Sequence, residues 1–344
     1  MKTAALAGTS LKISPICLGS AGFGDSTPEA EACKILDTFR DAGGNFVDTA
    51  NVYGKWLEEG KNCSEEILGR WLKSRNACHD MVIATKGGHY RFDAPQTSRV
   101  YERAVREDVE ESLRTLGLDC IDLYWLHRDN EAVPVEEIMG MMETLTAEGK
   151  LRYYGASNFK LMRMKAATAV ARAQGMRGFC AVSNRWSLAS VNPAAEAAAD
   201  PTLVATTDAF YQWHRASGMP LIPYSASGSG FFEKLYQACP EVRGGMLLSS
   251  PEALRLPENM KKAYLNERNL KIYEDLLRLR EKYHASLYTL SMACLMNQAF
   301  PVVPVSSVRN TEQLAGFLRA GALDVEEKLV EKYISAAQEG SGIA

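Results

Sequence analysis

With 344 residues, 46% of them hydrophobic and 24% charged, the chain has the composition of a soluble globular protein, long enough for two average domains or for one α/β barrel. A net charge of −3 and no basic stripe exclude nucleic acid or an anionic membrane surface as expected partners. No secretory apolar region opens the chain and no apolar run reaches the roughly 18 residues that span a bilayer, so the cytoplasm is the expected location.

Lys2–Leu6 and Leu11–Ile13 flank Ala7-Gly8-Thr9-Ser10 and read as a hairpin spanning residues 1–14. A short strand at Ile16–Gly19 follows, then a loose Gly22-Phe23-Gly24 loop; glycines 19, 22 and 24 do not make a dinucleotide-binding GxGxxG. Thr27-Pro28 should cap and start a helix that stops at Gly43-Gly44. Phe46–Asp48 is a strand, and Ser64 is the expected cap of the next helix, with Glu65 and Glu66 in its first turn. Met81–Lys86 is a strand, followed by a helix from Ser98 to Leu116 with Val105, Val109, Leu113 and Leu116 on one face. Ile121–His127 is a strand, Pro134–Glu148 a helix with Ile138, Met141, Met142 and Leu145 inward, and Leu151–Ser157 a strand. A helix from Lys160, a strand at Phe179–Val182, a helix within Leu203–Ser217 and a strand at Leu221–Tyr224 come next. Residues 225–257 read as one long irregular loop, before helical segments near 260–282 and 286–297, a strand at Pro301–Val305 and a helix at Thr311–Leu318.

Eight strand–helix units from Ile16 onward imply parallel strands with helical crossovers, and hence a (β/α)8 TIM barrel occupying residues 1–344 as a single domain. A doubly wound sheet would want a phosphate-binding Gly-rich turn near the start, and none is present. No linker or low-complexity tract interrupts the pattern, so 225–257 is read as a loop over the active site. The eight cysteines are scattered, with no CxxC and no Cys/His pair at metal spacing, as expected of free thiols in a reducing compartment.

In a barrel the C-terminal strand ends share one face, and active sites sit there. Asp48, Lys86, His127, Ser157 and Tyr224 lie at or near predicted strand ends, and Tyr53 lies on a loop of the same face. Each alone has an ordinary explanation as a solvated loop residue or a bonded core residue; their joint placement is what points to chemistry.

The motifs Asp48-Thr49-Ala50 with Tyr53, Ile83-Ala84-Thr85-Lys86, Leu123-Tyr124-Trp125-Leu126-His127 and Gly155-Ala156-Ser157-Asn158-Phe159 together resemble the aldo-keto reductase superfamily, and the resemblance runs from Leu18 to Gln313. It implies an NAD(P)H-dependent carbonyl reductase whose cofactor lies extended across the barrel mouth. The implied roles follow the chemistry. A phenol is a poor acid near neutrality, and a neighbouring ammonium favours its phenolate. Tyr53 would be the general acid, Lys86 the ammonium, Asp48 its partner, and His127 the donor that orients the substrate oxygen.

The resemblance implies that Ser157 and Asn158 hold the nicotinamide carboxamide and that Tyr224 stacks on its ring, the lesser alternative being rim packing by an amphipathic ring. Ser225, Ser227 and Gly228 would clasp the pyrophosphate through backbone N–H groups. Two segments depart from the family pattern. Ser183, with Asn184 beside it, stands where relatives carry Gln, and Ser307 where glycine or lysine is usual. Gln313 falls at a cofactor-contact position, and Phe317 replaces an asparagine that usually meets adenine. Arg309 either pairs with a 2′-phosphate, which favours NADPH over NADH, or is a solvated charge at a helix start. Trp56, His89, Tyr90, Trp125, Trp186 and Phe231 are the candidate pocket walls, suited alike to sugars, aryl aldehydes and cyclic ketones. Homo-oligomerisation is left open. The competing readings are an accessory cofactor-binding subunit like the potassium-channel beta subunits, and a barrel enzyme with Lys86 as a Schiff-base nucleophile.

Overall fold

The computed structural model describes residues 1, 3–239 and 255–340, the last six of these by backbone alone. In chain order its elements are β1 (Ala4–Ala5), β2 (Lys12–Ile13), β3 (Cys17–Gly19), α1 (Glu29–Asp41), β4 (Phe46–Asp48), α2 (Cys63–Arg75), β5 (Val82–Gly87) and α3 (Glu102–Leu116). Then come β6 (Ile121–Leu126), α4 (Val135–Ala147), β7 (Leu151–Ser157), α5 (Leu161–Gln174), β8 (Val182–Ser183), α6 (Pro193–Ala197) and α7 (Asp208–Ser217). The chain ends with α8 (Phe231–Ala238), α9 (Glu258–Tyr264), α10 (Glu267–Tyr283), α11 (Leu287–Met296), β9 (Val305–Ser307), α12 (Thr311–Ala320) and α13 (Leu329–Gly340).

The parallel strands run in the order β8-β7-β6-β5-β4-β3-β9. The gap between β8 and β9 is bridged by residues 221–224, through parallel pairings of Leu221 with Val182 and Val302 and of Tyr224 with Arg185. That segment makes bridges rather than a continuous ladder because Pro220 and Pro223 have no N–H to donate; their carbonyls accept instead, from Val182 and Val305. Prolines 301 and 304 shorten the last strand in the same way, so it begins at Val305 rather than Pro301. With this eighth stave the sheet closes, as a (β/α)8 barrel requires.

Side-chain parity along the strands divides the apolar residues between two cores. Leu18, Val47, Ile83, Tyr124, Leu126 and Tyr154 face the helices. Cys17, Phe46, Ala84, Leu123, Trp125, Ala181 and Ile222 face the barrel interior, where Leu6, Leu11 and Ile13 of the N-terminal hairpin join them. Both faces being apolar, the strands read as continuous hydrophobic runs.

Several helix starts differ from expectation. The cap of α2 is Asn62, whose side chain accepts from the Glu65 amide, while Ser64 is buried inside the helix and shares hydrogen bonds with Ser20 and Thr49. Thr27 does not cap α1, which begins after Pro28. The third helix starts at Glu102 because Tyr101 is still extended. Residues 225–239, expected to be irregular, contain a 3-10 turn at Gly228–Gly230 and the helix α8; Phe231 and Leu235 are buried and make that helix amphipathic. Residues 240–254 of the expected loop, and Lys2 of the expected hairpin, lie outside the described residues.

Candidate active site

Parity also builds the site. Asp48, Lys86 and His127 each follow an interior residue by two positions, after Phe46, Ala84 and Trp125, and so point the same way at the top of the barrel. The backbone keeps strand-like bonds past the strand ends. Thr49 donates to Ala84 O at 2.9 Å, Asn51 to Lys86 O at 2.9 Å, and His127 to Gly87 O at 2.8 Å. The second of these lays the loop carrying Tyr53 against Lys86. A tight turn at Gly54 (φ 95°) completes that loop; a Cβ there would lie 2.2 Å from Cys63 Sγ. Lys55 anchors it to α3 through Glu111 at 2.8 Å.

Lys86 Nζ forms an ion pair with Asp48 Oδ2, donates to Thr49 O at 2.8 Å and donates to Tyr53 Oη at 3.2 Å. The other Asp48 oxygen accepts from Trp125 Nε1 at 3.1 Å. Burial alone would strip the Lys86 proton, but the Asp48 carboxylate and Tyr53 overcome it and hold the ammonium up to about 12. Burial pushes the Asp48 carboxyl up, and Lys86 and Trp125 pull it back. A lysine held so firmly as the ammonium is a poor Schiff-base nucleophile. For His127, burial first, then the Arg128 guanidinium, His89 and Lys86, drive the imidazole well below its ordinary range, so it is neutral. Its Nδ1 is buried without a partner among the described residues.

Around the phenol the aromatic residues close into a ring of contacts. Tyr53 meets Trp56 at 6.1 Å between ring centres, Trp56 meets Phe92 at 6.4 Å, and Phe92 meets His89 at 5.7 Å. His89 meets His127 at 4.9 Å, and His127 returns to Tyr53 at 6.0 Å with the rings near perpendicular. Trp56 and Phe92 form the lip, 43% and 48% exposed. Tyr90 backs this wall and donates to Asp200 at 2.8 Å. A cleft of about 450 Å³ lies alongside, lined by Asn51, Gly87, His89, Tyr90 and Phe92 but not by Tyr53 or His127. Phe92 was not among the residues expected from the sequence; a lone Phe in a polar loop carries no periodic signal.

Three expected wall residues stand elsewhere. Trp125 is fully buried inside the barrel, one layer below His127, and faces Asp48 rather than the mouth. Phe231 is buried in the core under α8. Trp186 is half-buried and packs 6.0 Å from Tyr211, lining a separate cleft of about 490 Å³ with Arg185 and Ser225.

Among the expected cofactor contacts, the carboxamide set is bonded to itself. Asn158, with φ of 61°, accepts from Tyr224 Oη at 2.7 Å and from Val204 N at 3.0 Å, and donates to His127 O at 3.0 Å. Ser157 Oγ donates to Ser183 O at 2.7 Å, and Asn184 accepts the Asn158 amide at 2.7 Å. In the 225–230 turn, the Gly228 amide donates to Ser225 O at 3.0 Å, so one of the N–H groups expected to face a pyrophosphate is already bonded. The far end is open. Ser307, Arg309 and Gln313 are exposed at the N-terminus of α12, where the helix dipole favours anions; Gln313 accepts the Arg309 amide at 3.0 Å. Phe317 is buried in the core against Tyr288 and cannot meet an adenine. The eight cysteines are free thiols, and among the described residues no group of His, Cys, Asp and Glu could hold a metal ion. No helix there is long and apolar enough to cross a membrane.

The model of the aldo/keto reductase family matches residues 15–337. The norsolorinic acid reductase of Aspergillus flavus is 26% identical over 341 residues, covering 94% of this chain and 77% of its own. An NADP(+) aryl-alcohol dehydrogenase of Phanerodontia chrysosporium is 33% identical over 199 residues, covering 53% of this chain and 50% of its own. A crystal structure of a thermostable aldo-keto reductase with the inhibitor epalrestat superposes with a TM-score of 0.65, at 21% identity, covering 97% of this chain and 99% of its own.

Proposed function

The chain belongs to the aldo/keto reductase family, and as an oxidoreductase of that family we propose that it reduces an aryl aldehyde or aromatic ketone to the alcohol, using NADPH and Tyr53 as general acid, in a single catalytic domain. The observation that carries the mechanism is one amine that joins the acid and the phenol: Lys86 Nζ bonds both the Asp48 carboxylate and the Tyr53 phenol oxygen, 3.2 Å away. When Tyr53 gives its proton to the carbonyl oxygen, the charge left on the phenolate meets an ammonium that stays protonated. Asp48 keeps that ammonium in place. The neutral His127, edge-on to the phenol, donates to the same carbonyl oxygen and orients it.

A bound dinucleotide supplies the hydride. Its phosphate end fits the open set Ser307, Arg309 and Gln313 at the start of α12. At the nicotinamide end Tyr224 would face the ring, and Ser157, Asn158 and Ser183 the carboxamide. The aromatic collar supports a flat, apolar substrate, because Trp56, Phe92 and His89 present ring edges and faces around the proton donor. A relative named as an aryl-alcohol dehydrogenase acts on aryl alcohols by that name, which supports the same class.

The test is NADPH oxidation against a panel of aryl aldehydes, aromatic ketones, aldoses and aliphatic aldehydes, with Tyr53→Phe beside the unaltered protein. Aryl substrates should give the highest kcat/KM, and Tyr53→Phe should lose reduction while binding NADPH normally. Turnover by Tyr53→Phe comparable to the unaltered protein would remove Tyr53 from the mechanism.

A further inference from the structure

We infer that Trp125 is a positioning residue for this reaction: its indole N–H fixes the Asp48 carboxylate that in turn holds Lys86 beside the phenol, and Gly155 gives the indole the room to do so. The inference rests on the roles proposed above for Asp48, Lys86 and Tyr53.

The register sets Lys86, Trp125 and Gly155 side by side, with Asp48 beside Ala84 one step lower. Across the sheet, Trp125 on β6 pairs with Lys86 on β5 and with Gly155 on β7. Trp125 faces the barrel interior, as Leu123 does two residues earlier, and is 0% exposed. It therefore touches neither solvent nor anything in the mouth. A Cβ on residue 155 would lie 2.3 Å from Cζ3 and 2.5 Å from Cε3 of the indole, and 3.0 Å from Ala181 O. Only a residue without a side chain lets the six-membered ring spread over β7. With the ring there, the pyrrole edge turns to β4 and Nε1 reaches Asp48 Oδ1 at 3.1 Å.

The consequence is a carboxylate with one donor on each oxygen: the ammonium on Oδ2 and the indole on Oδ1. Asp48 is only 4% exposed, so water does not readily replace either donor. Without the indole, Oδ1 is a buried charged acceptor with no other side-chain donor among the described residues. Such an oxygen either turns toward the ammonium or takes up a proton. Both outcomes disturb the amine that Tyr53 depends on. A leucine or phenylalanine at position 125 would be smaller, would supply no donor and would leave the carboxylate unanchored.

Trp125→Phe keeps a ring and removes the N–H. It should lower kcat for reduction about 10- to 100-fold, the range for a hydrogen bond to a charged group, with NADPH affinity unchanged. The acidic limb of the kcat/KM profile should move to higher pH, because a carboxylate that has lost a donor protonates more readily. Trp125→Gln, which returns an N–H, should move that limb part of the way back. A loss of thermal stability with the pH profile unmoved means that Trp125 only packs, and the inference is wrong. If neither variant folds, the unaltered protein decides: the 15N-labelled indole N–H of Trp125 should exchange slowly and shift in Asp48→Asn, and exchange as fast as a surface tryptophan overturns the proposal. Tyr53→Phe run in parallel separates the two failures. If it is active, the catalytic reading falls; if it is inactive while Trp125→Phe behaves like the unaltered protein, only the positioning role falls.

Discussion

Replacing Lys86 by Met should cost more stability than any surface change, and the cost should vanish when its partner is removed as well. The two side chains are 3% and 5% exposed. Taking away the amine leaves the Asp48 carboxylate in the barrel with a single donor, Trp125, and leaves Thr49 O without the bond it accepts at 2.8 Å. Breaking a buried ion pair on one side costs about 3–5 kcal/mol, whereas replacing both members with apolar groups of similar volume is often neutral or stabilising. Lys86→Met and Asp48→Leu should therefore each lower the unfolding free energy by about 3–5 kcal/mol, and the double variant should return to within about 1 kcal/mol of the unaltered protein. Urea unfolding followed by tryptophan fluorescence gives the four values. All three variants should be inactive in carbonyl reduction, since none retains the ammonium and its partner together. The Lys86→Met deficit should also shrink as the pH falls, because Asp48 can then take up a proton. On the alkaline side, Lys86 sits at about 12 against 10.5 for a free lysine. Its contribution is thus complete below pH 10.5 and is lost as the pH rises through about 12. Single variants within about 1 kcal/mol of the unaltered protein, or a double variant as unstable as the sum of the singles, would refute the reasoning.

Glu65, buried behind β5 and bonded to Asn62 and Thr85, is pushed up from 4.5 to about 7, burial being the largest cause. The folded state then binds the extra proton between those values, so stability is fullest below pH 4.5 and falls as the pH rises through about 7. Glu65→Gln should flatten that fall, which amounts to about 3 kcal/mol at 1.36 kcal/mol per pH unit; unfolding curves at pH 5 and pH 8 check it, and parallel curves for the two proteins would contradict it. Phe92→Ala should raise KM for aryl aldehydes more than for short aliphatic ones in steady-state assays, because it removes one side of the collar and no proton donor; an equal rise for both would mean that Phe92 does not sort substrates. Arg309→Ala should weaken NADPH binding more than NADH binding in a fluorescence titration, and equal weakening would mean that Arg309 does not meet the 2′-phosphate.

Much of the frame was readable because it rests on local pattern. Alternating apolar runs and amphipathic helices require no knowledge of partners, and the strand ends carrying Asp48, Lys86 and His127 followed from them. Failures came where a side chain's role depends on distant chain. Trp125 sits two residues before His127 and shares its face, which shows the direction but not the depth; only the missing Cβ at Gly155 and the carboxylate on β4 place it under the site. Ser64 looked like a cap because two glutamates follow it, yet Asn62 has the better geometry and Ser64 is needed by Ser20 and Thr49. The strand expected at Leu221–Tyr224 is reduced to isolated bridges, because Pro220 and Pro223 have no N–H to donate. Phe92 acquires its place only when the loop folds against Trp56, 36 positions away in no periodic relation.

The N-terminal hairpin has a bearing on traffic. By pressing Leu6, Leu11 and Ile13 against the packed interior side chains, it covers the lower end of the cylinder and leaves the upper mouth as the way in. Whatever settles deepest has to arrive first and depart last, and later arrivals sit above it as a stopper. A queue of this kind makes departure of the deeper molecule wait on the shallower one.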